Sequence, residues 1–163
     1  MMRGMVSEKL KSPGELARIS HEMRAAGRRL VFTNGCFDLL HVGHVRYLQQ
    51  ARQLGDALLV AVNGDASVRG LKGPGRPLND EQDRAEVIAA LGCVDYVTIF
   101  EEERVTRLLR EIRPQVYTKG GDYTPESLNT EEGAALREVG AEIKILPLVP
   151  GRSTTRLIEK MGS

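Results

Sequence analysis

Thr33-Asn34-Gly35-Cys36-Phe37-Asp38-Leu39-Leu40-His41-Val42-Gly43-His44 is the stretch whose reading decides the fold. Before it, Leu30-Val31-Phe32 is a short apolar run suited to a buried strand; after it, Val45 to Leu54 carries apolar residues at helical spacing. Strand, tight turn and helix start thus follow one another. At such a junction the N–H groups of the turn and of the first helical turn lack intrahelical partners, and they point outward with the positive end of the helix dipole. The natural guest is a phosphate. Gly35 is expected to permit an unusual backbone angle, and Gly43 to let a phosphate approach the backbone between the imidazoles. His41 and His44 are three residues apart and share one face of the helix if it begins near them.

Outward from this turn, strands and helices alternate. Ser12-Pro13-Gly14-Glu15 is an N-cap, a proline at the first helical position and an acidic first turn, opening a helix that ends at Gly27. Residues 1–27 form an N-terminal extension with that one helix, and residues 28–163 the main domain. Ala57 to Val62 is a continuous apolar run, as in a strand covered on both faces of a parallel sheet. Asn63 to Asn79 is expected to be a polar loop over a ligand, bearing Arg69, Lys72 and Arg76. Helices are predicted over 80–91, 102–112, 130–139 and 153–160, and strands over 96–100, 116–118 and 142–146. The fold class is α/β, a Rossmann-like doubly wound five-stranded parallel sheet with helices on both faces. Ligands in such a sheet sit outside the carboxyl ends of the strands, where the strand order switches.

Composition narrows the partners. A chain of 163 residues with 41% hydrophobic content can bury one real core. The net charge is +1, and three Phe and four Tyr with no Trp leave little for base stacking, so no nucleic acid is expected. No membrane partner is expected either, because no stretch approaches the roughly 18–20 apolar residues of a span. Met1 to Lys11 lacks the apolar middle of a signal peptide, which makes the expected location cytoplasmic. Cys36 and Cys93 lack metal-ligand spacing, and no metal-ligand set is expected.

The chemistry-bearing residues exclude several reaction schemes. No serine or cysteine is paired with a base and no carboxylates are paired, which leaves covalent and hydrolytic routes without machinery. Phosphoryl-type transfer needs neither: it proceeds by holding an attacking oxygen in line with a phosphorus and neutralising the charge on the other oxygens. Lys119-Gly120-Gly121-Asp122-Tyr123 follows the fourth predicted strand at the ligand edge, although a plain Gly-Gly turn would look the same. Gly151-Arg152-Ser153-Thr154-Thr155-Arg156 opens the last helix with hydroxyls, N–H groups and a guanidinium, a second phosphate site in physical terms; a capped helix needs only one of those hydroxyls.

With these segments in view, the chain resembles the nucleotidyltransferases that share His-x-Gly-His with class I aminoacyl-tRNA synthetases, and within them the nucleotidyltransferase part of the ADP-heptose synthesis enzymes. The resemblance covers about residues 28 to 161 and rests on Thr33 to His44, Arg76-Pro77-Leu78, Asp83-Arg84, Lys119 to Pro125 and Pro150 to Ile158. It implies transfer of AMP from ATP to D-glycero-β-D-manno-heptose 1-phosphate, with Mg2+ bound through the nucleotide phosphates. His41, His44 and Lys72 would be catalytic. Asn34, Gly35, Cys36, Phe37, Lys119, Gly120, Asp122, Arg152, Ser153, Thr154 and Thr155 would bind the nucleotide along with the histidines. Arg84 is a candidate for a substrate or phosphate contact, against the alternative of a surface ion pair with Asp80 or Glu81; Lys72 has the alternative of a solvated loop lysine. In the family this unit often follows a sugar kinase in one polypeptide, so a stand-alone form served by a separate kinase is expected, with a homodimer as an option. Two other readings stay open: a cytidylyltransferase acting on a polyol phosphate such as glycerol 3-phosphate, and a non-catalytic nucleotide-binding subunit. Relatives acting on glycerol 3-phosphate place an arginine several residues ahead of Ser-Thr-Thr, where this chain has Leu148-Val149-Pro150.

Overall fold

A computed structural model describes residues 6, 8–121, 124–147 and 154–162. The described elements are α1 (Pro13–Ala25), β1 (Leu30–Gly35), α2 (Val42–Arg52), β2 (Ala57–Asn63), α3 (Asp65–Lys72), α4 (Glu81–Ala89), β3 (Tyr96–Phe100), α5 (Thr106–Ile112), β4 (Val116–Gly120), a 3-10 turn (Pro125–Ser127), α6 (Thr130–Val139), β5 (Glu142–Leu146) and α7 (Thr154–Gly162). The five strands form one parallel sheet in the order β3-β2-β1-β4-β5. The chain runs outward from β1 through β2 to β3, then returns to place β4 on the other side of β1. The switch in strand order therefore lies between the carboxyl ends of β1 and β4, at Gly35 and Gly120.

Alternation along the strands builds two cores. Leu30 and Phe32 of β1 and Leu59 and Ala61 of β2 face one side with Leu16, Met23, Leu108, Leu109 and Leu136. Val31, Leu58, Val60 and Val62 face the other with Leu48, Ala51, Ala85, Ile88 and Ala89. Side chains two apart share a face and both faces are covered, so β2 is a seven-residue apolar run buried throughout. The helix of the N-terminal extension belongs to the first core through Leu16 and Met23. Its start is fixed by a capping box: the Glu15 N–H donates to Ser12 Oγ and the Ser12 N–H to the Glu15 carboxylate.

Three boundaries differ from the sequence reading. The expected loop over 63–79 contains α3, which buries only Ser67 and Val68, has Gly64 as its N-cap and carries Gly70 within it. Its amphipathic stretch is only eight residues long and lies among Gly64, Gly70 and Gly73, which read as loop. The predicted helix over 102–112 begins only at Thr106. In the opposite direction, α2 starts at Val42 with His41 as its N-cap, three residues before the apolar spacing begins at Val45.

Candidate functional site

The early start of α2 puts His41 at the N-cap and His44 at the third helical position. Their rings stack with centroids 3.9 Å apart and planes 27° from parallel. His41 Nδ1 accepts the Gly43 N–H at 3.0 Å, which leaves Nε2 of a neutral ring to carry the proton and donate. Gly43, expected to face a phosphate, thus spends its N–H on His41 in this structure. His44 is half-buried, and its Nδ1 is buried with no hydrogen-bond partner. Burial, and secondarily the repulsion that a second proton on the His41–His44 pair would meet, lower its pKa from 6.5 to about 4, so this imidazole is neutral near pH 7.

Phe37 supports the pair from behind. Its ring meets His44 edge-on at 5.3 Å between centroids. Here the sequence reading is corrected: the positive φ of the turn belongs to Phe37 (48°), whereas Gly35 has no such angle. Gly35 is required for space instead, since a Cβ there would stand 2.9 Å from the Phe37 ring. Cys36 is half-buried, and burial raises its thiol pKa although Lys72, Arg84 and Arg76 each pull the other way. Of these, Arg84 and Arg76 reach the turn directly, through Cys36 O and the Asp38 carboxylate. The side chain of Asn34 accepts a hydrogen bond from Tyr117 at 3.2 Å, tying β1 to β4 at the switch point.

Arg84 is 2% exposed. Its Nε donates to Asn79 O at 2.9 Å, Nη1 to Cys36 O and Asn63 O at 2.7 Å each, and Nη2 to Asp65 Oδ1 at 2.8 Å. The surface ion pair with Asp80 or Glu81 is therefore overturned: the partner is Asp65, and the guanidinium sits inside, fastening the ends of β1 and β2 to the loop before α4. Its position one helical turn before the apolar Ile88 was the available signal, and it names no partner. Asp38 was quoted in the turn without a role. Its carboxylate receives Arg76 Nε at 2.9 Å, the Leu78 N–H at 2.8 Å and the Asn79 N–H at 3.0 Å. Burial acts to raise its pKa, but these hydrogen bonds outweigh burial and hold it below the usual carboxylate range.

The remaining predicted residues are spread more widely. Lys72 is the exposed last residue of α3. Lys119, near the end of β4, lies 3.8 Å from the buried Glu132 carboxylate, and Gly120 closes the strand. Gly121 follows with φ 103° and donates its N–H to Leu146 O at 3.0 Å, a conformation that favours glycine. Thr154 opens α7, and Thr155 is exposed beside it. Asp122, Arg152 and Ser153 lie outside the described residues. Among the described residues, no group of three or more His, Cys, Asp or Glu is arranged to hold a metal ion, and no helix is long and apolar enough to cross a membrane.

Comparison with known proteins adds a family and relatives. The model of a family described as cytidylyltransferase-like matches residues 32–160. A protein named bifunctional protein HldE from Trichlorobacter lovleyi is 51% identical over 94% of this chain, and one of the same name from Geotalea uraniireducens is 52% identical over 94%. The chain spans 31% of the length of each. Among solved structures, a lipopolysaccharide core biosynthesis protein from Thermoplasma volcanium superposes with a TM-score of 0.62 at 29% identity, covering 76% of this chain and 98% of that one.

Proposed function

The chain belongs to the cytidylyltransferase-like family, and from that membership we propose that it transfers AMP from ATP to D-glycero-β-D-manno-heptose 1-phosphate in the synthesis of a lipopolysaccharide or surface-glycan precursor. One phosphate oxygen of the sugar phosphate attacks the α-phosphorus, the α–β bridging P–O bond breaks, and ADP-heptose and pyrophosphate are the products. The observation that carries this reading is the stacked His41–His44 pair at the N-terminus of α2, beside the β1/β4 switch. The HldE relatives and the structural neighbour, a lipopolysaccharide core biosynthesis protein, support the choice of acceptor.

In this reading the triphosphate lies over the first turn of α2, where the helix dipole and the His41 imidazole meet its oxygens. His44, neutral in the free protein, takes up a proton more readily once phosphate charge arrives. Lys72 reaches toward the transferring phosphate. Lys119, Gly120 and Asp122 line the nucleoside side, and Arg152, Ser153, Thr154 and Thr155 hold the β and γ phosphates. Magnesium comes on the nucleotide phosphates, and no step is assigned to a protein-held ion. The catalytic unit is residues 28–163, preceded by the helical extension, in a cytoplasmic protein that is a monomer or homodimer.

The deciding experiment incubates purified protein with magnesium, ATP and the sugar phosphate, and follows pyrophosphate and ADP-heptose. A folded preparation that binds ATP and forms no product overturns the reading in favour of a nucleotide-binding subunit. Product from CTP and glycerol 3-phosphate instead would replace both substrates.

A further inference from the structure

The nucleotide turn and the chain leading out of α3 are joined by two buried charges that do not pair with each other. On one side, the Asp38 carboxylate, whose side chain is 1% exposed, accepts from Arg76 Nε and from the Leu78 and Asn79 N–H groups. The Asn79 side chain returns a bond to Asp38 O at 2.9 Å. On the other side, Arg84 donates to Asn79 O and to Cys36 O. Residues 76–79 are thereby held to residues 36–38 through both side chain and backbone, an arrangement that loop closure over a solvated surface does not require.

Lys72 stands between this clamp and a second one. The start of α3 is fixed by Asp65, which pairs with Arg84 at 2.8 Å and whose N–H donates to Glu81 Oε1 at 3.0 Å. From the far end of α3, only Gly73, Pro74 and Gly75 separate Lys72 from Arg76. Both glycines have left-handed φ, 89° and 82°, and a Cβ on either would meet nothing within 4 Å. Four Cα-to-Cα steps reach at most about 14 Å, so the position of residue 76 bounds where Lys72 can go. The influence of the Lys72 charge on Cys36 agrees with that confinement.

We propose that Asp38 is a positioning residue for the transfer, locking Arg76–Asn79 onto the nucleotide turn and so setting where Lys72 rests relative to the transferring phosphate. The proposal rests on the reading of Lys72 given above. Asp38 itself need not touch substrate: its carboxylate is occupied by the protein's own donors. An uncharged amide in its place keeps the shape but loses one acceptor oxygen and the charge that binds Arg76.

The test is a double-mutant cycle of Asp38→Asn and Lys72→Ala, read in kcat and in the KM for ATP, with amide hydrogen exchange of the ligand-free proteins alongside. Asp38→Asn is expected to lower kcat by about 10–100-fold with less than about a threefold change in KM, and to cost less than about threefold when Lys72 is already alanine. The amides of Leu78 and Asn79 should exchange at least about tenfold faster while those of β1 and β2 hold. Equal kcat losses in both backgrounds, or unaltered exchange at 78 and 79, overturn the proposal. Should Asp38→Asn fail to fold, Arg76→Met removes one donor from the half-exposed side of the same latch and must show the same non-additivity with Lys72→Ala. The two failures are distinguishable: an unaltered chain without turnover overturns the functional reading, whereas normal turnover with an additive cycle overturns the latch.

Discussion

Phe37, Asp38 and Arg84 brace the nucleotide turn from behind with buried groups, whereas α7, the described part of the other proposed phosphate stretch, presents Thr155, Arg156 and Glu159 to Met161 to solvent and buries none of its described side chains. One proposed phosphate site is therefore assembled before any ligand arrives. Its stacked histidines are already in place, and preorganised donors stabilise developing charge without a reorganisation cost at the moment of reaction. The described side chains of the helix at the other proposed site are exposed or half-buried, so its contribution is expected in ligand affinity rather than in the stability of the fold. Substitutions on the two sides should separate accordingly.

The largest effect is expected from removing the brace. Arg84→Met deletes the buried positive charge that satisfies three carbonyl oxygens and Asp65, leaving the buried Asn63 O and three partly buried acceptors without their donor. Breaking a buried ion pair from one side typically destabilises by about 3–5 kcal/mol. Urea denaturation should show a loss of that order. A loss under about 1 kcal/mol, the range of surface pairs, would mean that the turn does not depend on this residue.

Next comes the chemistry of the turn itself. His44→Ala removes one member of the stacked pair without touching the Arg84 or Asp38 bonds, so the fold should persist while kcat falls about 100- to 1,000-fold, the usual loss for one preorganised donor. Steady-state pyrophosphate release measures it. An unchanged rate would place the transferring phosphate elsewhere and dissolve the contrast between the two sites.

The parallel sheet was legible in the sequence because Ala57 to Val62, an unbroken apolar run, lies inside the fully buried β2, and because β-branched and aromatic residues mark Tyr96 to Phe100 as β3. Glu142 to Leu146 matches β5 by its alternation of polar and apolar residues at the sheet edge. The turn was legible because glycines and histidines stand where an apolar run ends. Three things were not. α3 is an amphipathic stretch of only eight residues set among Gly64, Gly70 and Gly73, which read as loop. The role of Gly35 depends on a ring two residues away, and Gly and Phe in sequence do not say which of them takes the positive φ. Arg84 and Asp38 act on residues up to 48 positions distant, and long-range side-chain-to-backbone bonds leave no spacing to find. For Asp38 the available sign was its apolar neighbours Phe37 and Leu39.

A smaller and graded effect follows from the depressed pKa of His44. Its folded value of about 4 lies below the ordinary 6.5, so the unfolded chain binds this proton first as pH falls. The stability linked to this group is complete above pH 6.5 and is lost as pH drops from there toward 4. Denaturation at a series of pH values should therefore show a slope contribution approaching one proton within that window, absent from His44→Gln. The same slope in both proteins would mean that His44 is as hydrated folded as unfolded, contrary to its packing beside Phe37 and His41.

The smallest stability effect is expected at Thr155, and it is the sharpest test of the contrast. This side chain is exposed on the first turn of α7, and a surface substitution away from buried contacts usually changes stability by less than about 0.5 kcal/mol. Thr155→Ala should thus leave urea denaturation of the free protein unaltered. If the helix start holds the β and γ phosphates, calorimetric ATP binding should still weaken, by about tenfold for one lost hydrogen bond to a charged group. The pairing of a silent denaturation curve with weaker binding is what a ligand-dependent site produces and a structural one does not. Unchanged affinity for ATP alongside unchanged stability would leave the α2 end alone as the phosphate site, with Lys72 and the two histidines carrying the charge of the triphosphate.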